Sequence, residues 1–128
     1  MKMLLFQAIN IKNVLGKMTD EKMPVKLAYK IMKFISAVET EEKFFNEKTA
    51  EIIQKYALRG EDGNFIFIDD SNVKIDPEKY DECEKESREL QELEIEVNEI
   101  KLSLEDFRNI KLTPKELYVL APILADEE

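Results

Sequence analysis

Cys83 is the one thiol in this chain, and no histidine is present to activate it. Without histidine, Ser-His-Asp and Cys-His nucleophilic chemistry are unavailable, and the commonest transition-metal ligand is missing. One thiolate is too few for a zinc or iron–sulfur site. Cys83 also lies among Asp81, Glu82, Glu84 and Glu86, whose charge opposes the thiolate, so it reads as a small core or boundary residue rather than a nucleophile.

Carboxylates are the remaining candidates for chemistry. Glu41/Glu42 and Asp69/Asp70 are adjacent pairs of the kind used in metal-assisted hydrolysis, but with 28 acidic residues in 128 such pairs need no special cause. Asp62-Gly63-Asn64 and Asp69-Asp70-Ser71-Asn72 lack the glycine at six and glutamate at twelve of a calcium loop and read as ordinary turns. Gly16-Lys17-Met18-Thr19 resembles the end of a phosphate-binding loop, yet Ile11 stands where that loop needs its first glycine. The expectation is a protein with no enzymatic activity and no cofactor or metal, one that works by binding.

Two charged faces offer themselves for that binding. Lys22, Lys26, Lys30 and Lys33, spaced by four, four and three, line one side of a helix. This basic ridge has no interleaved arginine, and no exposed aromatic residue is expected on it, so direct nucleic-acid binding is disfavoured. Glu82, Glu86 and Glu89 lie on a strongly acidic helix that could imitate a row of nucleic-acid phosphates. Residues 1–60 hold eleven Lys+Arg and seven Asp+Glu, whereas residues 61–128 hold eight and twenty-one. Opposite signs in the two halves point to a charged partner or to neutralisation within one fold or between two copies.

These faces need elements to carry them. Leu4, Leu5, Ala8, Ile11, Val14, Leu15 and Met18 recur at threes and fours, predicting a first helix. Thr19-Asp20-Glu21 before Pro24 reads as the start of a second. From Pro24 to about Leu58 no glycine or proline intervenes, and Ile31, Val38, Phe45 and Ile52 repeat every seven, with a break possible near Glu39-Thr40. Such a helix spans roughly 50 Å against about 35 Å for a compact globule of this length. The mismatch predicts an elongated homodimer whose interface holds Ile31, Ile35, Val38, Phe45 and Ile52.

Gly60 to Asn64 is a strong turn, and Phe65–Ile68 with Val73–Ile75 reads as a β-hairpin. Asp76-Pro77 opens an acidic helix running to about Leu93, with Tyr80, Cys83, Ser87, Leu90 and Leu93 as its thin inner stripe. Alternation from Leu93 to Leu102 predicts a strand that joins the hairpin. Ser103 to Asp106 suggests a one-turn helix, and Thr113-Pro114-Lys115-Glu116 is a capping box for a short last helix before the acidic tail Asp126-Glu127-Glu128. No internal repeat is evident. The fold class is α+β, mostly helical, in a single domain with a basic helical part (1–58) and an acidic α+β part (60–128).

The run Met23-Pro24-Val25-Lys26-Leu27-Ala28-Tyr29-Lys30-Ile31, then Lys55-Tyr56 with the Gly60-Glu61-Asp62-Gly63-Asn64 turn, and the closing Leu112-Thr113-Pro114-Lys115-Glu116-Leu117, resemble small uncharacterised proteins of tailed bacteriophages. Met23 and Arg59 depart from the commoner Leu and Gly or Glu there. The resemblance spans nearly the whole chain and implies a phage or prophage origin but no chemistry. It narrows the binding roles to an anti-defence or host-takeover inhibitor of a host protein, or a virion assembly component such as a chaperone or adaptor. The apolar run Met1–Phe6 is interrupted by Gln7, Asn10 and Lys12, and no stretch reaches membrane-spanning length, so the expected place is the host cytoplasm and no membrane partner is expected.

Overall fold

In the computed structural model, residues 1–108 and 110–125 are described. Among them are four α-helices, several single 3-10 turns and one two-stranded antiparallel sheet, a mostly helical α+β fold. The acidic tail expected at Asp126 to Glu128 lies outside the described residues. The chain forms two compact units, Met1–Glu42 with Glu94–Glu128, and Lys43–Leu93.

The first unit is built on α1 (Leu5–Gly16), whose Leu5, Ala8, Ile9, Ile11, Val14 and Leu15 are all buried. A strand not foreseen from the sequence, β1 (Lys2–Leu4), precedes it and pairs antiparallel with β2 (Glu94–Glu96), Met3 opposite Ile95. The expected strand after Leu93 therefore exists but joins the chain's first residues, not the hairpin. Its alternation fits either partner, because period two fixes which face is buried and not which edge is joined. Thr19 donates its hydroxyl to the carbonyl of Gly16 at 2.9 Å, closing the turn behind α1 instead of capping the helix ahead.

The long helix α2 (Val25–Tyr56, 32 residues) starts directly after Pro24 and passes through Glu39-Thr40 without a break. Residues up to Glu42 belong to the first unit and those from Lys43 to the second. Ile31, Phe34 and Val38 from α2 are buried, as are Leu102, Phe107, Leu120 and Ile123 of the same unit. Ser103 donates its N–H to the Asp106 carboxylate at 2.8 Å, opening the expected short turn. The capping box of α4 (Pro114–Leu120) is formed in both directions, Glu116 N–H to the Thr113 hydroxyl at 3.1 Å and Thr113 N–H to the Glu116 carboxylate at 3.0 Å.

The second unit pairs the C-terminal part of α2 with the acidic helix α3 (Tyr80–Gln91), entered through a 3-10 turn that Asp76 caps. The expected hairpin is here a three-way arrangement of isolated antiparallel bridges: Ala57 opposite Ile75, Arg59 opposite Phe65, Phe67 opposite Val73. Leu58 N–H donates to the Lys74 carbonyl (2.8 Å), Lys74 N–H to Ile66 (2.7 Å) and Ile66 N–H to Leu58 (3.0 Å), a closed ring of three. Its members are eight residues apart, and the turns between them are related, Glu61-Asp62-Gly63-Asn64 and Asp69-Asp70-Ser71-Asn72. This octad is a short internal repeat, contrary to the expectation of none. Both turns are closed from inside: Asp62 accepts the Asn64 N–H at 3.0 Å, and Asp69 accepts those of Ser71 and Asn72 at 2.9 Å.

Candidate functional site

A helix in a small protein buries one stripe and leaves the rest to polar side chains. The part of α2 in the first unit departs from this. Its inner stripe is Leu27, Ile31, Phe34 and Val38, none more than 9% exposed. On the opposite side stand Val25, Tyr29 and Met32, exposed at 83%, 57% and 56%. Beside that outer line run Lys26, Lys30 and Lys33, all exposed. Tyr29, Lys30 and Lys33, together with Asn98, Glu99 and Ile100, border a shallow groove of about 450 Å³.

The charge of this face is uncompensated locally. From Lys22 to Val38 there are four lysines and no acid, in a chain with 28 acidic residues. Among the described residues the ion pairs involve Lys12, Lys17, Lys48, Lys55, Arg88, Arg108 and the Met1 amino group, and none of these four lysines. Glu99 is the one carboxylate on the groove wall. Lys22 falls in the connection ahead of α2, so the helical ridge consists of Lys26, Lys30 and Lys33. The expectation that the ridge has no exposed aromatic is corrected by Tyr29.

The acidic candidates stand differently. Glu82 and Glu89 on α3 are exposed, but Glu86 accepts a 2.8 Å hydrogen bond from Lys55. Those partners shift each other: the Lys55 bond holds the Glu86 carboxyl below the usual range, and Lys55 is raised above its own, chiefly by the same bond. Glu89 borders a depression that also holds Lys48 and Lys55. A continuous row of free carboxylates through Glu82, Glu86 and Glu89 is thus interrupted at its centre. Cys83, half-buried on α3, has its thiol pushed up by burial, with Glu86 adding to the effect and Ser87 opposing it.

Of the residues expected at an oligomer interface, Ile31 (3% exposed) and Val38 (0%) are spent on the chain's own core and present no surface to a second copy. The heptad spacing placed them correctly on an apolar stripe; it could not tell which chain would cover it. Ile35 is half-buried and borders a depression of about 390 Å³ with Met18, Met23 and Met32. Phe45 and Ile52 are half-buried in the second unit.

The charge division by sequence halves does not survive folding. The first unit combines eleven Lys+Arg with fourteen Asp+Glu, and the second eight with fourteen, because residues 94–128 join the basic N-terminal part. What persists is local: the lysine line on α2 next to an apolar line. The signal for it was present as two offset sets at i, i+4 and i+7, Val25/Tyr29/Met32 and Lys26/Lys30/Lys33. The first is masked in the sequence by the inner stripe, which by itself accounts for an amphipathic helix. No helix among the described residues is long and apolar enough to cross a membrane. Comparison with protein-family models, curated proteins and solved structures finds no match for the chain.

Proposed function

We propose that this chain is a non-enzymatic accessory protein that acts by binding another protein, and that the outward face of α2 in the first unit is its working surface. One observation carries the reading: three large apolar side chains at one-turn spacing stand exposed on a helix whose inner side is fully packed. Single exposed apolar residues are commonplace, but an ordered line of them is the composition of an interface core, and the lysines beside it, which make no ion pair among the described residues, fall where a polar rim belongs. The phage resemblance supplies the setting, host takeover or virion assembly in the host cell. Inhibition by phosphate mimicry through α3 is the less supported form, since Lys55 occupies the middle carboxylate of the row.

The test compares two sets of substitutions in pull-downs from cells that produce the protein's partner. Val25→Asp, Tyr29→Asp and Met32→Asp together should release a protein that wild type retains. Glu82→Lys with Glu89→Lys, which leaves the Lys55–Glu86 pair intact, should retain it. Exposed substitutions cost only about 0.5 kcal/mol each, so both variants fold. Release by the α3 set with retention by the α2 set would overturn the assignment and restore the acidic helix.

A further inference from the structure

The two outward lines on α2 share one spacing. Val25, Tyr29 and Met32, and Lys26, Lys30 and Lys33, are each i, i+4, i+7 sets offset by one residue, so on a helix they run side by side along the axis. This is the spacing with which one helix reads another: apolar residues interlock along a seam, and charged residues beside the seam choose the partner by sign. The groove beside it, about 450 Å³ and edged by Ile100, has room for one or two apolar side chains of a partner. A surface that tracks single-stranded nucleic acid pairs its cations with several aromatic stacking platforms, and here Tyr29 is the one aromatic beside the lysines, the other apolar neighbours being aliphatic Val25 and Met32.

Resting on the reading that this face binds a protein, we propose that its occupant is an acidic amphipathic helix of the partner. Its apolar stripe packs on Val25, Tyr29 and Met32, and its carboxylates meet Lys26, Lys30 and Lys33. Charge complementarity carries the choice of occupant. The three lysines make no ion pair among the described residues, and the helix offers them no acid before Glu39. Glu99 on the groove wall opposes the same partner, so its neutralisation should tighten binding.

A synthetic helix of about three heptads with leucine on its seam and glutamate on its flanks serves as the probe, labelled for fluorescence anisotropy. Controls are the same helix with lysine for glutamate, the same helix interrupted by proline, and a DNA duplex. The full chain should bind the acidic helix, more weakly as salt rises from about 0.05 M to about 0.3 M. Lys26→Glu, Lys30→Glu and Lys33→Glu together should abolish binding, Tyr29→Ser with Met32→Ser should weaken it about tenfold, and Glu99→Gln should strengthen it. Equal binding of the lysine or proline helix, binding of DNA in preference, or no binding of the acidic helix would each overturn the proposal. If the acidic helix fails while the α2 variants still release the cellular partner, the working surface stands and only its occupant is wrong. Unchanged thermal midpoints separate lost binding from lost fold.

Discussion

The two units are held together by different means. Among the described residues, the twenty buried hydrophobic side chains all belong to the first unit except Tyr56 and Leu90. The second relies instead on a ring of backbone hydrogen bonds around Leu58, Ile66 and Lys74, on turns closed by Asp62 and Asp69, and on the Lys55–Glu86 pair. Apolar burial is the dominant stabilising term, whereas exposed hydrogen bonds and ion pairs contribute little net. On these grounds the second unit should open at lower free energy than the first. A binding face works best on a helix that does not move, and Val25, Tyr29 and Met32 stand on the side of α2 whose back is anchored by Ile31, Phe34 and Val38.

That contrast gives its largest effect in the core. Phe34→Ala should destabilise the first unit by about 3–5 kcal/mol, read as a shift of the denaturant midpoint, because a fully buried ring leaves a cavity that close packing cannot refill. A loss comparable to that of a surface substitution would mean the core is not where the buried side chains place it. Native-state hydrogen exchange should sharpen the same point. The amides of Leu58, Ile66 and Lys74 should exchange well before those of α1, and equal protection in both regions would remove the distinction.

Smaller effects test the local devices. Thr113→Ala should cost about 1 kcal/mol through loss of the α4 cap. Gly63→Ala, at a φ of +80°, should cost about the same in the second unit although open space surrounds it, since the penalty is backbone conformation rather than contact. Gly16→Ala, also in open space and without a positive φ, should cost nothing or stabilise.

The Lys55–Glu86 pair gives a pH signature with a definite sign. Glu86 is depressed in the folded chain, so its contribution is full above the ordinary glutamate value of about 4.3 and is lost as pH falls through its lowered value. Lys55 is raised, so its contribution is full below about 10.4 and is lost only above that. Between those limits Lys55→Met should lower the thermal midpoint of the second unit by a constant amount, and at more acid pH the difference should vanish. A difference that grows on acidification would contradict the pairing. Glu116 behaves similarly, held low first by the Thr113 backbone N–H and then by Lys17, so its capping contribution also disappears on acidification.

Much of this was legible because local rules and tertiary structure agreed. The α4 capping box, the Asp76 cap and the long helix followed from residue type and spacing, and no long-range contact opposed them. The β1–β2 pairing was not legible: three residues ahead of a helix carry too little pattern to show that they pair with residues 94–96. The three-way ring escaped for a related reason, since each segment contributes one bridge and a hairpin would show the same alternation. The outward line of Val25, Tyr29 and Met32 was in the sequence. It was hidden by the stronger inner stripe, because only burial distinguishes an apolar residue that is spent from one that is available.

The most direct test places a photo-crosslinking side chain at Tyr29 in the first unit or at Glu82 in the second, and compares adducts formed in cells that contain the partner. The account predicts a discrete adduct of one partner protein from Tyr29, lost with Lys26→Glu and Lys30→Glu, and none from Glu82. An adduct from Glu82 with none from Tyr29 would contradict it and move the working surface to the acidic helix.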